Sequence, residues 1–399
     1  MKKLVTAIVF LALLPAISNA AERRLDLDTY RDKLKGGFVG QMAGVTFGAP
    51  TEFKAEGFAL PESLLRGWSP TMIEGALIQD DIYVELTFLQ TLEKYGLEVS
   101  QEQIGKDFGD SKYPLWHANK WGRDNIRKGI MPPLSGHPKY NPHADDIDFQ
   151  IEADLLGLIS PGMPRAVQDL GWKFGHVMNY GDGVYGGIFI GAMYAAAFFE
   201  SDRVKVVEAG LSAIPAESNY AKTIRDVLAA YQENPADWKH AWRKIEDKWG
   251  KLTNCPDRHP LYPWRKLGIG ANVNGAYVVI GLLYGEGDPM RTIQIATMSG
   301  RDSDCNPSSA MGILGTIIGF DNLPAEFKSG LPAMKGRKFA FTNYDFDSAL
   351  VAMERTARQN LTAQNGREEI QIWFIPPNDP SPLPLEQWPY GTPAEDVKP

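Results

Sequence analysis

Cysteine is nearly absent, with two in 399 residues. Two thiols cannot form the framework of a small disulfide-stapled domain, so a hydrophobic core has to hold the fold. There is no basic excess either: 41 Lys+Arg stand against 49 Asp+Glu, a formal charge of −8. No run of Lys or Arg offers the basic face that phosphate neutralisation needs. This argues against a nucleic-acid binder and makes small molecules or other proteins the expected partners. Beyond the N-terminus no apolar run approaches the roughly 20 residues that span a bilayer, and strand signals are few.

The one long apolar run, Leu4 to Leu14, follows Lys2 and Lys3 and precedes Ser18-Asn19-Ala20. Basic, apolar and small residues in that order read as a secretory signal peptide over residues 1–20, cleaved after Ala20. Cleavage removes two lysines and no acids, which takes the formal charge from −8 to −10. The mature protein is expected to be exported, periplasmic or secreted, into an oxidising compartment.

What the rest of the chain does have is helix periodicity. The spacing predicts a helix from Asp26 or Asp28 to about Gly44. A second carries Ile78, Ile82, Leu86 and Leu89 on one face and stops at Gly96. Ser201 is placed to cap a third. Amphipathic patterns fill 216–233 and 236–249, where Trp238, Trp242, Ile245 and Trp249 fall at helical spacing and read as core. An apolar helix covers 271–284, Asp288-Pro289 starts the next, and Asn306-Pro307 starts one that ends at Gly319. This is an all-α domain, placed at 21–343, followed by a C-terminal helix and a proline-rich extension over 344–399. Eight of the 28 prolines lie between Pro376 and Pro399, so that tail is expected to be extended, packed on the surface or disordered.

Two glycine patterns stand out. Gly36, Gly40, Gly44 and Gly48 recur every four residues along one helix face. Close helix packing explains Gly36 and Gly40; a ligand or metal site gains weight nearer Glu52. Gly181, Asp182 and Gly183 form a turn entering an apolar helix. Such a turn can cradle phosphate on backbone N–H groups or can simply connect two helices.

The chemistry concentrates in two acidic clusters, Gln79-Asp80-Asp81 at a helix start and Asp302-Ser303-Asp304-Cys305 before another. Any one of these carboxylates could be a helix cap. Four of them converging would repel one another unless cations lay between, and oxygen ligands suit Mg²⁺, Mn²⁺ or Ca²⁺.

Three segments, GGFVGQMAGVTFGAPTEF at 36–53, QDD at 79–81 and GRDSDCNPSSAMGILGTIIG at 300–319, together resemble the ADP-ribosylglycohydrolase family. The resemblance implies an orthogonal multi-helix bundle with one or two Mg²⁺ ions, or Mn²⁺, in a central cleft. It also implies removal of ADP-ribose, or a related ribosyl group, from a small molecule or an ADP-ribosylated substrate. Carried over by position, Asp80, Asp81, Asp302 and Asp304 are metal ligands with Gln79 beside them. Glu52, together with Asp81, takes the catalytic part at the water or the scissile ribose. Three departures bear on the metals: Val45 where the family has Asp, Gln79 where it has a hydroxyl residue, and Cys305 where a hydroxyl normally follows D-x-D. A non-catalytic binding or structural relative of the same fold, like the lens crystallins that resemble the family, is the alternative these departures favour.

The segment 116–161 also departs from the family pattern. It reads as a long loop, dense in Pro, Gly, His and Asn, that runs into an acidic helix at Asp146, Asp148 and Glu152. His117, Asn141 and Asp148 either face the cleft and select the substrate or fix the loop locally. His176 is given no role. In an oxidising compartment the two cysteines, Cys255 and Cys305, are expected to pair, tethering the D-x-D loop to the 255 loop.

Overall fold

Asp26 starts the first helix, Leu27–Gly48, by accepting from the amides of Asp28 and Thr29 at 2.9 and 3.2 Å. The computed structural model describes residues 21–398, so the signal-peptide reading of 1–20 lies outside it. Along the first helix the four spaced glycines all meet backbone of the Cys305–Ile318 helix and the loop before it. Gly36 lies on Gly315, Gly40 on Met311, Gly44 on Pro307 and Gly48 on Ser303. One number rises by four as the other falls by four, so the two helices run antiparallel. A Cβ at any of the four would overlap a carbonyl oxygen of the partner. Packing therefore accounts for the whole stripe, Gly44 and Gly48 included, and it delivers the D-x-D loop to the end of the first helix.

Around this pair the helices Asp182–Ala197 and Ala271–Tyr284 are buried on nearly every face, as an all-round apolar helix must be. The Ala271–Tyr284 helix has the predicted bounds, and Asp288 with Pro289 starts the next helix as read from sequence. Gly96 and Gly319 end their helices at φ 76° and 81°, a conformation glycine adopts without a Cβ penalty. The tryptophan stripe is core: Trp242, Ile245 and Trp249 are buried and Trp238 packs against them. Two local expectations are corrected. Asp202, not Ser201, caps the Arg203–Ser212 helix, because its carboxylate reaches the amides of Val204 and Lys205. Ile78 is 72% exposed, because a 3₁₀ turn over Pro70–Ile78 precedes the helix, which begins only at Asp80.

The expected boundary at 343 does not divide the core. Phe346, on the Phe346–Ala363 helix, stacks on Phe38 of the first helix with ring centroids 5.8 Å apart. The strand Ile372–Ile375 pairs antiparallel with Arg23–Asp26 on one side and Arg367–Glu369 on the other. Trp373 of that strand is fully buried against Tyr30 at 4.4 Å. The proline-rich tail then packs over the surface: Pro384 accepts from the Tyr185 hydroxyl at 2.7 Å and Glu386 from the Gly181 amide at 2.9 Å. Among the described residues no helix is long and apolar enough to cross a membrane.

Candidate active site

Three chain segments meet in a cleft of about 610 Å³. After the first helix a single 3₁₀ turn, Ala49–Thr51, brings Glu52 out into the cleft. Gln79, Asp80 and Asp81 arrive at the start of the Asp80–Tyr95 helix, and Asp302, Asp304 and Cys305 at the start of the Cys305–Ile318 helix. The Thr51 and Ser303 hydroxyls are 2.9 Å apart, tying the first segment to the third. Phe53 N donates to Arg301 O at 2.9 Å, and Arg301 N to Ala55 O at 2.8 Å.

Arg301 holds this loop from behind. Its backbone is left-handed, φ 58°, a conformation non-glycine residues keep only when their surroundings fix it. The surroundings do: the guanidinium is buried and donates to both Glu246 oxygens at 2.9 and 3.0 Å and to Gly250 O at 2.8 Å. Glu56 Oε1 lies 3.3 Å away on another side. Sequence reasoning missed this network. Arg301 stands inside the GRDSDC motif and was visible there, but nothing in the sequence pairs it with glutamates 55 and 245 residues away.

The five carboxylates Glu52, Asp80, Asp81, Asp302 and Asp304 are brought together, and among the described residues none of them is ion-paired to Lys, Arg or His within 4.0 Å. Asp81 is fully buried beneath the cleft, and Asp302 and Asp304 are almost so. Burial first, then the neighbouring charges of Asp80 and Asp304, pushes the Asp81 carboxyl well above its usual range; Asp304 is raised in the same way, with Asp302 as its chief neighbour. Asp302 is pushed up to about 8, and so is Glu52, by burial and by the charges of Asp304 and Asp80. Glu52 is exposed to cleft water, which moderates the burial contribution there and leaves the acidic neighbours.

Buried oxygens Asp81 Oδ1 and Asp302 Oδ1 have no hydrogen-bond partner. A clustered set of oxygen donors with orphaned atoms must hold either protons or cations, and it fits a hard divalent cation such as Mg²⁺ or Mn²⁺. Asp302, Asp304 and Cys305 bring ligand atoms within 4.8 Å of one another. Cys305, however, acts as a donor: Sγ lies 3.4 Å from Asp81 Oδ2 and 3.7 Å from Asp304 Oδ1. Burial and four aspartates raise its pKa well above the usual value, so it stays a thiol. Gln79 lines the cleft and makes no capping hydrogen bond, which leaves its amide oxygen available.

Of the other candidates, Asp148 does line the cleft; its Oδ1 accepts from Asn119 N at 2.9 Å, and burial raises its pKa to about 6. His117 also lines the cleft, but on a helix, His117–Arg127, where a loop was expected. Asn141 is structural: buried, it donates to Ala118 O and Met178 O at 3.0 and 2.7 Å. The turn Gly181, Asp182 and Gly183 lies outside the cleft, a correction with a clear cause. The tail covers it through Glu386, and Asp182 accepts from the Tyr220 amide at 3.1 Å. His176 is structural, held by Trp172 O and Glu386 at 2.8 and 3.0 Å. The Cys255–Cys305 bridge is not formed; both thiols are free and buried, one beside His143 and the other beside Asp81. A larger groove of about 820 Å³ between Thr87 and Tyr344 gathers no comparable set of groups.

No curated protein matches the chain. A solved structure described as "ADP-ribosylglycohydrolase-related protein complex" superposes with a TM-score of 0.52 at 13% identity, covering 83% of this chain and 100% of that one, a likeness of fold. The family model for ADP-ribosylglycohydrolase matches residues 26–360, from the cap of the first helix through the helix that stacks on it, and takes in all three segments of the cleft. The chain belongs to the ADP-ribosylglycohydrolase family.

Proposed function

We propose that this protein is a metal-dependent glycohydrolase that cleaves an ADP-ribosyl or related N- or O-ribosyl bond. The observation that carries the reading is the convergence of Glu52, Asp80, Asp81, Asp302 and Asp304 on one cleft without a basic partner. Asp80, Asp81, Asp302 and Asp304 would hold the cations, with Gln79 at the edge. Bound Mg²⁺ would neutralise these aspartates and supply Lewis-acid polarisation of ribose hydroxyls and water. Glu52, reaching the cleft from a separate segment, orients the attacking water and accepts its proton, as one carboxylate does in glycoside hydrolysis. Asp148 lines the same cleft, placed to accept from the substrate. Arg258 and Trp116 stand exposed at its rim, a charge and a ring suited to a phosphate and a base. The sequence of residues 1–20 supports export of the enzyme.

Cys305 favours a second reading, a binder without turnover, because a protonated thiol replaces a hydroxyl beside the metal ligands. Calorimetry with Mg²⁺ and ADP-ribose, followed by hydrolysis assays on ADP-ribosylated peptides and small ribosides, separates the two. Magnesium-dependent release of ADP-ribose or ribose supports the enzyme. Binding with no release from any of these substrates supports the second reading.

A further inference from the structure

We propose a second divalent-cation site in the cleft, distinct from the carboxylate cluster, made of His117 Nδ1, His143 Nε2 and Asp257 Oδ2. It would take a borderline transition metal of the Zn²⁺ or Co²⁺ class. The site stands whether or not the protein is a glycohydrolase.

A buried hydrogen bond orients its central ligand. His143 Nδ1 and Asp146 Oδ2 are 2.6 Å apart, with side chains 3% and 0% exposed. A carboxylate at that distance fixes the imidazole with its hydrogen on Nδ1 and its lone pair on Nε2. This is the arrangement by which proteins orient metal-binding histidines. Among the described residues Nε2 makes no hydrogen bond, and it lies 3.7 Å from Asp257 Oδ2.

His117 comes to the same oxygen from another segment. Its Nδ1 is also 3.7 Å from Asp257 Oδ2, and it is buried without a hydrogen-bond partner. The residue sits at φ 36°, an uncommon conformation at a helix start. The three ligand atoms lie within 4.8 Å of one another. With metal–ligand bonds of 2.0–2.2 Å, a tetrahedral site spaces its ligands about 3.4 Å apart. The two 3.7 Å separations need only a small closure, and Asp257, 54% exposed, is free to make it.

A neighbouring set, His143, Asp146 and Cys255, has similar spacing but unsuitable chemistry. It would use the Nδ1 already bonded to Asp146, and a thiolate that burial opposes. Two imidazoles with one carboxylate select for Zn²⁺, Co²⁺, Fe²⁺ or Ni²⁺, whereas the all-carboxylate cluster selects for Mg²⁺ or Mn²⁺. His117 and Asp257 line the cleft, so the remaining coordination positions open to water or to a substrate oxygen.

Cobalt titration of the metal-free full chain in excess Mg²⁺ tests the site, read by visible absorption and by bound cobalt after gel filtration. One equivalent should bind with the strong absorption of a four- or five-coordinate nitrogen–oxygen site, and Zn²⁺ should displace it. His143→Ala and His117→Ala should each abolish binding. Asp146→Asn should weaken it about 10–100-fold, while Asp302→Asn leaves it unchanged. If His143→Ala does not fold, His117→Ala and Asp257→Asn, both at the cleft wall, decide. The proposal is overturned if no cobalt is retained in excess Mg²⁺, if the histidine variants bind as tightly as the parent, or if Asp302→Asn loses the metal. A separate Mg²⁺ titration without cobalt reports on the carboxylate cluster, so failure of one site is distinguishable from failure of the other.

Discussion

Gly48 and Ser303 touch backbone to backbone: a Cβ at position 48 would overlap the Ser303 carbonyl oxygen and crowd the Asp304 Cα. This contact sets the distance between Glu52 and the D-x-D loop. Gly48→Ala is therefore expected to destabilise the fold by about 1–3 kcal/mol and to lower Mg²⁺ affinity. Gly36→Ala, at the far end of the same helix pair, should cost stability and leave Mg²⁺ affinity alone. Thermal unfolding with parallel Mg²⁺ calorimetry separates the two. Equal Mg²⁺ affinity in both variants would detach the stripe from the site.

The carboxylates divide by role. Asp302→Asn and Asp304→Asn should each weaken Mg²⁺ binding at least tenfold, about 1.4 kcal/mol, with the fold retained, since charge is lost without volume. Glu52→Gln should lower turnover about 10²–10⁴-fold with a smaller effect on Mg²⁺ binding. If Glu52→Gln loses both in step, Glu52 is one more ligand.

Much of the fold was legible because local chemistry specified it. The Asp26 and Asp288 caps, the Gly96 and Gly319 stops and the apolar 271–284 helix each follow from short-range rules. The five acids were legible from their motifs, but their convergence was not, because it depends on the long-range glycine contacts of two antiparallel helices. The Gly181–Gly183 turn misled for a related reason: its pattern suits a phosphate site, yet a tail two hundred residues later covers it. The cysteines misled as well. Export and an even count suggested a bridge, whereas both thiols are free within one small apolar cluster with Ile147, Ile151, Leu267 and Ile269, Cys255 facing His143 and Cys305 facing Asp81.

Both thiols being free, alkylation of the denatured, unreduced chain should add two alkyl groups by intact mass, and reductant should leave the melting temperature unchanged. Cys305→Ser should strengthen Mg²⁺ binding, because it puts a hydroxyl oxygen where Sγ now donates to Asp81 at 3.4 Å. Weaker binding in the serine variant would mean that the thiol positions the aspartates.

Arg301 is the buried cation on which the loop rests. Arg301→Met leaves Glu246 and Glu56 without their partner and should cost about 3–5 kcal/mol. Adding Glu56→Gln and Glu246→Gln to it should recover part of the loss, since the uncompensated buried charge is then removed. Chemical denaturation of the single and triple variants measures this. A triple variant no more stable than the single one would mean that Arg301 acts through its backbone conformation.

The pH dependence of stability follows from the same crowding of acids. Asp302 and the buried Asp154, whose carboxyl accepts from Tyr194 and Ser309, are pushed up to about 8 chiefly by burial, and Glu52 is pushed up to about 8 by partial burial together with the charges of Asp304 and Asp80. In the unfolded chain such groups titrate near 4. A carboxyl with a raised folded pKa binds its proton more tightly in the native state, so its contribution is complete below about pH 4 and is lost as the pH rises toward 8. The metal-free protein should therefore melt at progressively lower temperature between about pH 5 and pH 8, the reverse of a protein whose carboxylates are salt-bridged. Mg²⁺ should remove the part of that slope that comes from the cluster, by neutralising its ionised carboxylates. A residual slope should persist, because Asp154, bonded to Tyr194 and Ser309, and the buried Glu85, Asp145 and Glu152, whose carboxyls burial also raises, are not among the cation's ligands. Asp154→Asn should reduce that remainder, and Asp302→Asn should shrink the metal-free slope. Melting curves across this range with and without Mg²⁺ decide it: a metal-free stability that rises from pH 5 to pH 8 would mean that the five acids are not held together in the native state.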